Sequence, residues 1–588
     1  MQSDTFFNNL QEFNNKYIEA LNLLNKKKFD QSASQFIDMM GIKNAYIDAV
    51  TNFANNPAKF FEHNLEYASK ISGLMFHFME KISGHEMDNL YEPDARDKRF
   101  KQKAWQDSMY FNFVKQFYLM SSDWHRSMLK KLDVSESQKK LLEFYTEQVL
   151  NAASPTNFLN LNPEALNELV ATNGQNLIQG IENFLNDIKN SEDVLSITTA
   201  TSKIFEVGRN IASTEGKIIM ENDLMQLICY KPQKKVYQVP IFVVPPWINK
   251  YYILDLGKEN SFIKYLVDLG FQVYLVSWVN PGPKLAHKSF ENYLKEGIDE
   301  PLEFLKKKFG YDKLNIIGYC IGGTLASCAA SYYAAKKKNH FSTLTLFTTM
   351  LDFSEPGDLG LFLNQDTLDL LKSEIKKKGY FSGKHMSYAF SLLRANELIW
   401  SFVVNNYLLG RKPMAFDLLY WNADNTNLPG SMHLFYIENM YGSNNLVKKG
   451  GITLLDTKID LGKIEVPAFF ISAIEDHIAP WKSTYKGCKL FSQKAKEKPV
   501  FCLAGSGHIA GIINPPASRK YNYYLNDKIY EDPEDWLNSS TQYMGSWWEA
   551  WAEWVITRSG HMVSSIDYEN LDFLQKAPGS YVCKKITK

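Results

Sequence analysis

Leu314-Asn315-Ile316-Ile317-Gly318-Tyr319-Cys320-Ile321-Gly322-Gly323-Thr324 joins an unbroken apolar run to a glycine-flanked cysteine. A stretch of small residues, Leu325 to Ala335, follows it. The pattern is strand, sharp turn, helix. A residue held on such a turn sits at strained φ/ψ, and side chains two positions before and after it would collide as the backbone folds back. The turn lifts the Cys320 thiol out of the sheet and sets it at the positive end of a helix, where a thiolate is favoured. With 32 glycines and 6 cysteines in 588 residues, chance supplies about 0.02 matches to G-x-C-x-G. Cys320 is the candidate nucleophile, and a buried cysteine in a glycine-rich turn is the bland alternative.

Outward from this turn, short apolar segments alternate with helical ones. Strand candidates are Ile218 to Tyr230 (a possible hairpin), Val239 to Val244, Phe271 to Trp278, Leu314 to Tyr319, Thr343 to Thr349, Val466 to Ala473 and Pro499 to Ala504. Several are continuously apolar, as strands buried on both faces are. Helices between them predict a mostly parallel sheet covered on both sides, an α/β-hydrolase fold given the nucleophile turn. Residues 351–464 carry mainly helical patterns and are expected to form a cap insertion. Residues 1–202 show helical spacing, as in Asp107 to Lys130, broken at Pro93, Pro155 and Pro163. The expected organisation is a mainly helical N-terminal domain, 1–202, and a catalytic domain, 203–588. An aromatic helix around Trp547, Trp548, Trp551 and Trp554 closes the chain.

In this fold the triad runs nucleophile, acid, histidine along the chain. His508 lies in Ala504-Gly505-Ser506-Gly507-His508, directly after the last strand candidate, and is the expected base. Asp476, in Glu475-Asp476-His477 after the preceding strand, is the expected acid. Asp352 is an alternative acid, though a turn or N-cap role suits it. His477, adjacent to Asp476, is at most a supporting group. The backbone N–H of Ile321 is the first expected oxyanion donor. The second is expected from Val244-Pro245-Pro246-Trp247-Ile248-Asn249, whose first free amide is that of Trp247.

Lys+Arg and Asp+Glu both number 65, so no net charge favours nucleic acid. No stretch reaches the ~20 uncharged residues of a membrane span, and Met1 to Lys26 lacks a secretory pattern. The scattered cysteines show no metal spacing, and reduced thiols in a cytoplasmic protein are expected.

The motifs resemble the class I poly(3-hydroxyalkanoate) synthases. The likeness rests on the cysteine turn together with Pro245-Pro246-Trp247-Ile248-Asn249-Lys250-Tyr251-Tyr252-Ile253-Leu254-Asp255-Leu256 and Ser277-Trp278-Val279-Asn280-Pro281. Tyr420-Trp421-Asn422-Ala423-Asp424, Asn427-Leu428-Pro429-Gly430, Asp476-His477-Ile478-Ala479-Pro480-Trp481 and Ser506-Gly507-His508-Ile509-Ala510-Gly511 add to it, as do Arg99-Phe100 with Trp105 and Glu206-Val207-Gly208-Arg209-Asn210. The resemblance spans roughly residues 90 to 560. It implies Cys320 as acylated nucleophile, His508 as base and Asp476 as third essential group. A family member carries Cys where Trp247 stands here.

It also implies (R)-3-hydroxyacyl-CoA of short chain as substrate, with CoA as product and no separate cofactor or metal. A growing polyester chain, a cytoplasmic granule surface and a homodimer are further implied. Cysteine suits polymerisation, because exchange of one thioester for another keeps the acyl group activated. A cysteine thioesterase or polyester depolymerase is the competing enzyme reading, and a granule scaffold the non-enzymatic one. Trp400, Tyr407, Tyr420, Trp421, Phe435 and Tyr436 either exclude water from the acyl-enzyme or form cap core. Lys250, Arg394 and Lys412 are cations near the matched segments, candidate phosphate partners or plain solvated surface.

Overall fold

A computed structural model describes the chain apart from residues 1, 28–46, 48, 52, 53, 55, 192–195, 201–203, 364, 493–494 and 586–588. It forms two compact units, one of residues 1–201 with 389–414, the other of residues 202–388 with 415–588.

The first unit is helical. Its main helices are Gln2–Lys26, Pro57–Ile82, Met109–Lys130, Glu136–Ala152, Pro163–Ala171 and Gln175–Asn190. Local chemistry starts several of them. Asn162 caps the amides of Glu164 and Ala165 with Pro163 at the first helical position, and Ser135 forms a capping box with Gln138. Apolar side chains gather in small groups, such as Leu74, Phe78 and Met120, or Ala20, Ile181, Leu185 and Ile188. Segment 389–414 lies inside the stretch read from sequence as cap, yet it packs in this unit. There the Tyr407 hydroxyl donates to Asp187 at 2.7 Å and Asn176 donates to Leu408 O at 2.8 Å.

The second unit is built on an eleven-stranded sheet. In chain order its strands are β1 Gly216–Glu221, β2 Met225–Tyr230, β3 Ile241–Val244, β4 Val273–Trp278, β5 Leu314–Tyr319, β6 Phe341–Phe347, β7 Ala468–Ala473, β8 Val500–Ala504, β9 Asn522–Leu525, β10 Thr541–Met544 and β11 Gln575–Lys576. The order across the sheet is β10-β9-β8-β7-β6-β5-β3-β4-β2-β1-β11. Strands β4, β3, β5, β6, β7 and β8 run parallel. The strands outside them pair antiparallel. This is the α/β-hydrolase sheet that the apolar runs predict.

Alternate residues of one strand feed opposite faces. Phe242 and Val244 enter one core, Ile241 and Val243 the other. The helix Ile321–Ala335 packs on the first face through Leu325, Ala326 and Ala329, and the aromatic helix Trp547–Ile556 covers the second. Strands β9 to β11 lie outside the sequence-read set. Asn522–Leu525 is half-buried throughout and Thr541–Met544 exposed throughout, so neither carries a continuous apolar signature.

Candidate active site

The turn that carries Cys320, the candidate nucleophile, follows from close backbone approach. A Cβ on Gly318 would sit 2.4 Å from Gly323 Cα, and one on Gly322 would sit 2.3 Å from Val244 O and 2.7 Å from Pro245 O. On Gly323 it would lie 1.9 Å from Thr349 Oγ1. Only glycine lets the helix start this close to β3 and β6. Cys320 itself takes φ 53° and ψ −124°, a left-handed value that L-residues rarely adopt outside held sites. Its amide donates to Phe347 O at 2.9 Å, which ties the strained residue to β6. Ile321 opens the helix, so its N–H has no acceptor one turn back.

Two loops bring the other groups. After β7, Asp476 accepts the amides of Ile478 and Ala479 on Oδ1, both at 2.8 Å. Its Oδ2 meets His508 Nδ1 at 2.6 Å. A carboxylate only accepts, so Nδ1 carries the proton and Nε2 stays free of the acid, while the Cys320 sulfur lies near enough to act on the ring. Burial pulls the imidazole down. The Asp476 carboxylate, the Cys320 sulfur and the hydrogen bonds to both outweigh it and push His508 up to about 10. An imidazolium facing the sulfur is the arrangement that stabilises a thiolate.

The histidine loop is held from behind. Trp547 Nε1 donates to Gly511 O and Trp548 Nε1 to Ile512 O, both at 2.9 Å, while the Tyr319 hydroxyl donates to His508 O at 3.0 Å. Buried indoles need such acceptors, so the tryptophan cluster read from sequence is core that also anchors the loop carrying His508. Loop-to-loop bonds, Glu475 N to Ser506 O and Ile474 N to Ala504 O, each 2.9 Å, fix acid and histidine segments side by side. Asp352 lies elsewhere, accepting from Ser354 N and Asn444 Nδ2, both at 2.9 Å. His477 is half-buried beside the acid.

Trp247 is buried, its ring packed against Tyr293 and Trp278 with centroids 4.4 and 5.3 Å away. Its loop passes over the nucleophile turn through Val244 O and Pro245 O. Of the aromatic set, Trp400 and Tyr407 belong to the helical unit. Trp421 is buried and donates Nε1 to Lys250 O at 2.6 Å.

Tyr436 approaches Thr324 Oγ1 with its hydroxyl at 3.5 Å. Its neighbour Tyr441 is a site residue the sequence reading missed. The turn Ile437–Gly442 is a π-helix. In an α-helix residues five apart point about 140° away from each other; i→i+5 bonding brings them to one side. Tyr436 and Tyr441 accordingly pack with centroids 5.9 Å apart, and both meet Phe353. Burial first, then the charges of Cys320 and Asp476, raise the Tyr441 hydroxyl above its ordinary value. Two tyrosines five apart were the available signal, and only a π turn makes it meaningful.

The cations divide. Lys250 is buried rather than exposed to a ligand, Arg394 pairs with Glu397 at 3.3 Å, and Lys412 is exposed.

Residues 96–266 match the family model described as Poly-beta-hydroxybutyrate polymerase (PhaC) N-terminus, and residues 254–515 match the alpha/beta hydrolase fold. The chain is 39% identical over 541 residues to the Poly(3-hydroxyalkanoate) polymerase subunit PhaC of Rhizobium etli, covering 90% of this chain and 84% of that relative. The chain belongs to the poly(3-hydroxyalkanoate) polymerase family. The corresponding subunit of Cupriavidus necator is 36% identical over 498 residues, 83% of each chain. The Poly(3-hydroxyalkanoate) polymerase of Methylorubrum extorquens is 36% identical over 535 residues, 90% of this chain and 88% of that one. As a poly(3-hydroxyalkanoate) polymerase family member the protein is an acyltransferase on a hydrolase scaffold. Among the described residues no helix is long and apolar enough to cross a membrane.

Proposed function

We propose that this protein polymerises short-chain (R)-3-hydroxyacyl-CoA into polyester through a thioester on Cys320, with release of CoA. The observation that carries the reading is one constellation. A cysteine at φ 53° faces an imidazole whose far nitrogen is held 2.6 Å from a buried carboxylate. The Cys320 thiolate attacks the thioester carbonyl, the oxyanion is met by the amides of Ile321 and Trp247, and the C–S bond to CoA breaks as His508 returns the proton to the leaving sulfur. His508 then takes the proton of an incoming 3-hydroxyl. That oxygen attacks the acyl-cysteine, an oxygen ester forms, and the Cys320 thiolate leaves. Both transfers use activation already present in the thioester, so the chemistry calls for no separate cofactor or metal.

Asp476 acts through His508 in this scheme. Its two oxygens are committed to two amides and to the ring, and its side chain is 0% exposed. That favours a positioning and charge-stabilising role over direct contact with an incoming hydroxyl. Phe353, Tyr436 and Tyr441 form an aromatic wall beside the sulfur that keeps water from the acyl-enzyme. Attachment to the surface of a cytoplasmic polyester granule, as a homodimer, completes the reading.

Incubation with (R)-3-hydroxybutyryl-CoA is the test. Insoluble polyester, free CoA and a labelled acyl group mapped to the Cys320 peptide are expected. Free 3-hydroxy acid in place of polymer makes the protein a thioesterase, and unaltered turnover by Cys320→Ala removes the proposed nucleophile.

A further inference from the structure

Lys250 is a buried cation that the proposed chemistry does not use. It ends the loop after β3 and is 2% exposed. Its ammonium donates to Val582 O at 2.8 Å and also to Lys584 O. Asp424 is the carboxylate that shares its surroundings, at 4.0 Å, and the Tyr252 hydroxyl occupies Asp424 Oδ2 at 2.8 Å. Its direct hydrogen-bond acceptors are thus carbonyls of the C-terminal tail. A buried ammonium without such acceptors is strongly disfavoured. Even here burial, only partly offset by Asp424, holds Lys250 below the ordinary lysine value.

The rest of the loop is clamped from the opposite direction. Trp421 Nε1 donates to Lys250 O at 2.6 Å, Thr426 N to Ile248 O at 3.1 Å, and Asn249 Nδ2 to Asn425 Oδ1 at 3.1 Å. The tail has its own anchorage: Gln575–Lys576 adds to β1, Tyr581 N donates to Gln226 Oε1 at 3.1 Å, and its hydroxyl donates to Asn222 O at 2.7 Å. At its start the same loop presses Val244 O and Pro245 O against the first turn of the nucleophile helix.

We propose that Lys250 is a positioning residue whose ammonium latches the C-terminal tail to the loop carrying the second oxyanion amide, so that the tail governs acyl transfer to Cys320. The inference rests on the polymerase reading, which gives that loop its oxyanion role.

Four full-length or shortened proteins test it: the native chain, Lys250→Met, a chain ending at Ser580, and the two changes combined. Hydrogen exchange at the Trp247 to Lys250 amides reports the latch without any substrate. Single-turnover CoA release from 3-hydroxybutyryl-CoA reports the chemistry. Each single change speeds exchange and slows CoA release about tenfold or more at an unchanged KM, short of the ~10²–10³-fold loss from deleting an oxyanion donor outright. The combined protein is no slower than the worse single, because both changes remove one interaction.

Multiplicative losses, or a Lys250→Met protein with native exchange and native rate, overturn the latch. The full-length Lys250→Met protein decides this alone if the shortened chain fails to fold. Faster exchange in Lys250→Met, beside a native chain that releases no CoA, leaves the latch standing and sinks the polymerase reading instead.

Discussion

In the sheet-bearing unit two broad cores flank one sheet, and residues such as Ile316, Ile317, Leu325 and Phe347 are essentially solvent-free. The helical unit divides its burial among small groups, and its helix Pro57–Ile82 leaves Phe60, Phe61, Leu65, Phe76 and Ile82 exposed. A cysteine at φ 53° persists only where its surroundings over-determine it. The dense unit can hold that strain, with the Val244 carbonyl of one strand and Thr349, just beyond the end of another, pressed against the turn. Among the described residues of the helical unit, the side-chain-bearing residue at positive φ is Asn173, at 49°, just past a helix end where asparagine adopts that conformation readily.

Substitutions probe this contrast from both ends. Cys320→Ala removes the sulfur and is expected to lower CoA release by about 10⁴-fold or more. A residual rate within tenfold of native would show that the strained turn is not where acyl transfer happens. Asp476→Asn keeps the shape and loses the charge, for an expected ~10²–10⁴-fold drop.

The Asp476→Asn change also has a pH signature. His508 is raised from its ordinary value near 6.5 to about 10 in the folded protein. The folded state therefore binds the extra proton between those limits, and stability falls as pH rises through that window. The contribution is complete below about pH 6.5 and gone above about 10. Melting curves of native and Asp476→Asn proteins should differ most at the acid end of this window and converge at the alkaline end. A gap that widens with pH contradicts the ion-pair account.

Two glycine-to-alanine changes set the units directly against each other. Gly323→Ala drives a methyl to 1.9 Å from Thr349 Oγ1 and is expected to cost about 3 kcal/mol in urea unfolding. Tyr441→Phe leaves packing intact and should lower kcat ~3- to 10-fold with little change in melting; native kinetics would mean that its hydroxyl does not meet the reacting groups. Gly73→Ala, in an exposed helix interior with nothing within 4 Å of the new atom, should stabilise by about 0.5–1 kcal/mol. Should both glycine changes carry the same sign, the supposed difference in packing between the units is wrong.

Much of the sheet was readable because its central strands are buried on both faces. Leu314–Tyr319 has the same bounds in sequence and structure, and the others shift by two residues or so. The outer strands were not, since Thr541–Met544 is exposed at every position and draws its order from pairing with Asn522–Leu525. At the site, Asp476 and His508 stand at strand ends that the apolar runs locate, and their 2.6 Å contact places them together. The role of Trp547 and Trp548 behind the histidine loop depends on where two indole N–H groups end up, which composition does not encode. Segment 389–414 reads as helix in either unit, and only packing partners such as Asp187 and Asn176 assign it.

The π turn between Tyr436 and Tyr441 has a consequence for how this region tolerates changes in length. Four residues separate the two rings where an ordinary helix needs three for the same alignment, since positions four apart differ by only about 40°. Loss of any single residue from Ile437 to Met440 would let the turn relax to regular helix and keep the rings paired. Retaining all four while tightening the turn would swing Tyr441 roughly 100° away from Tyr436. A one-residue deletion is here the gentler lesion, and a substitution that merely regularises the helix the more damaging one.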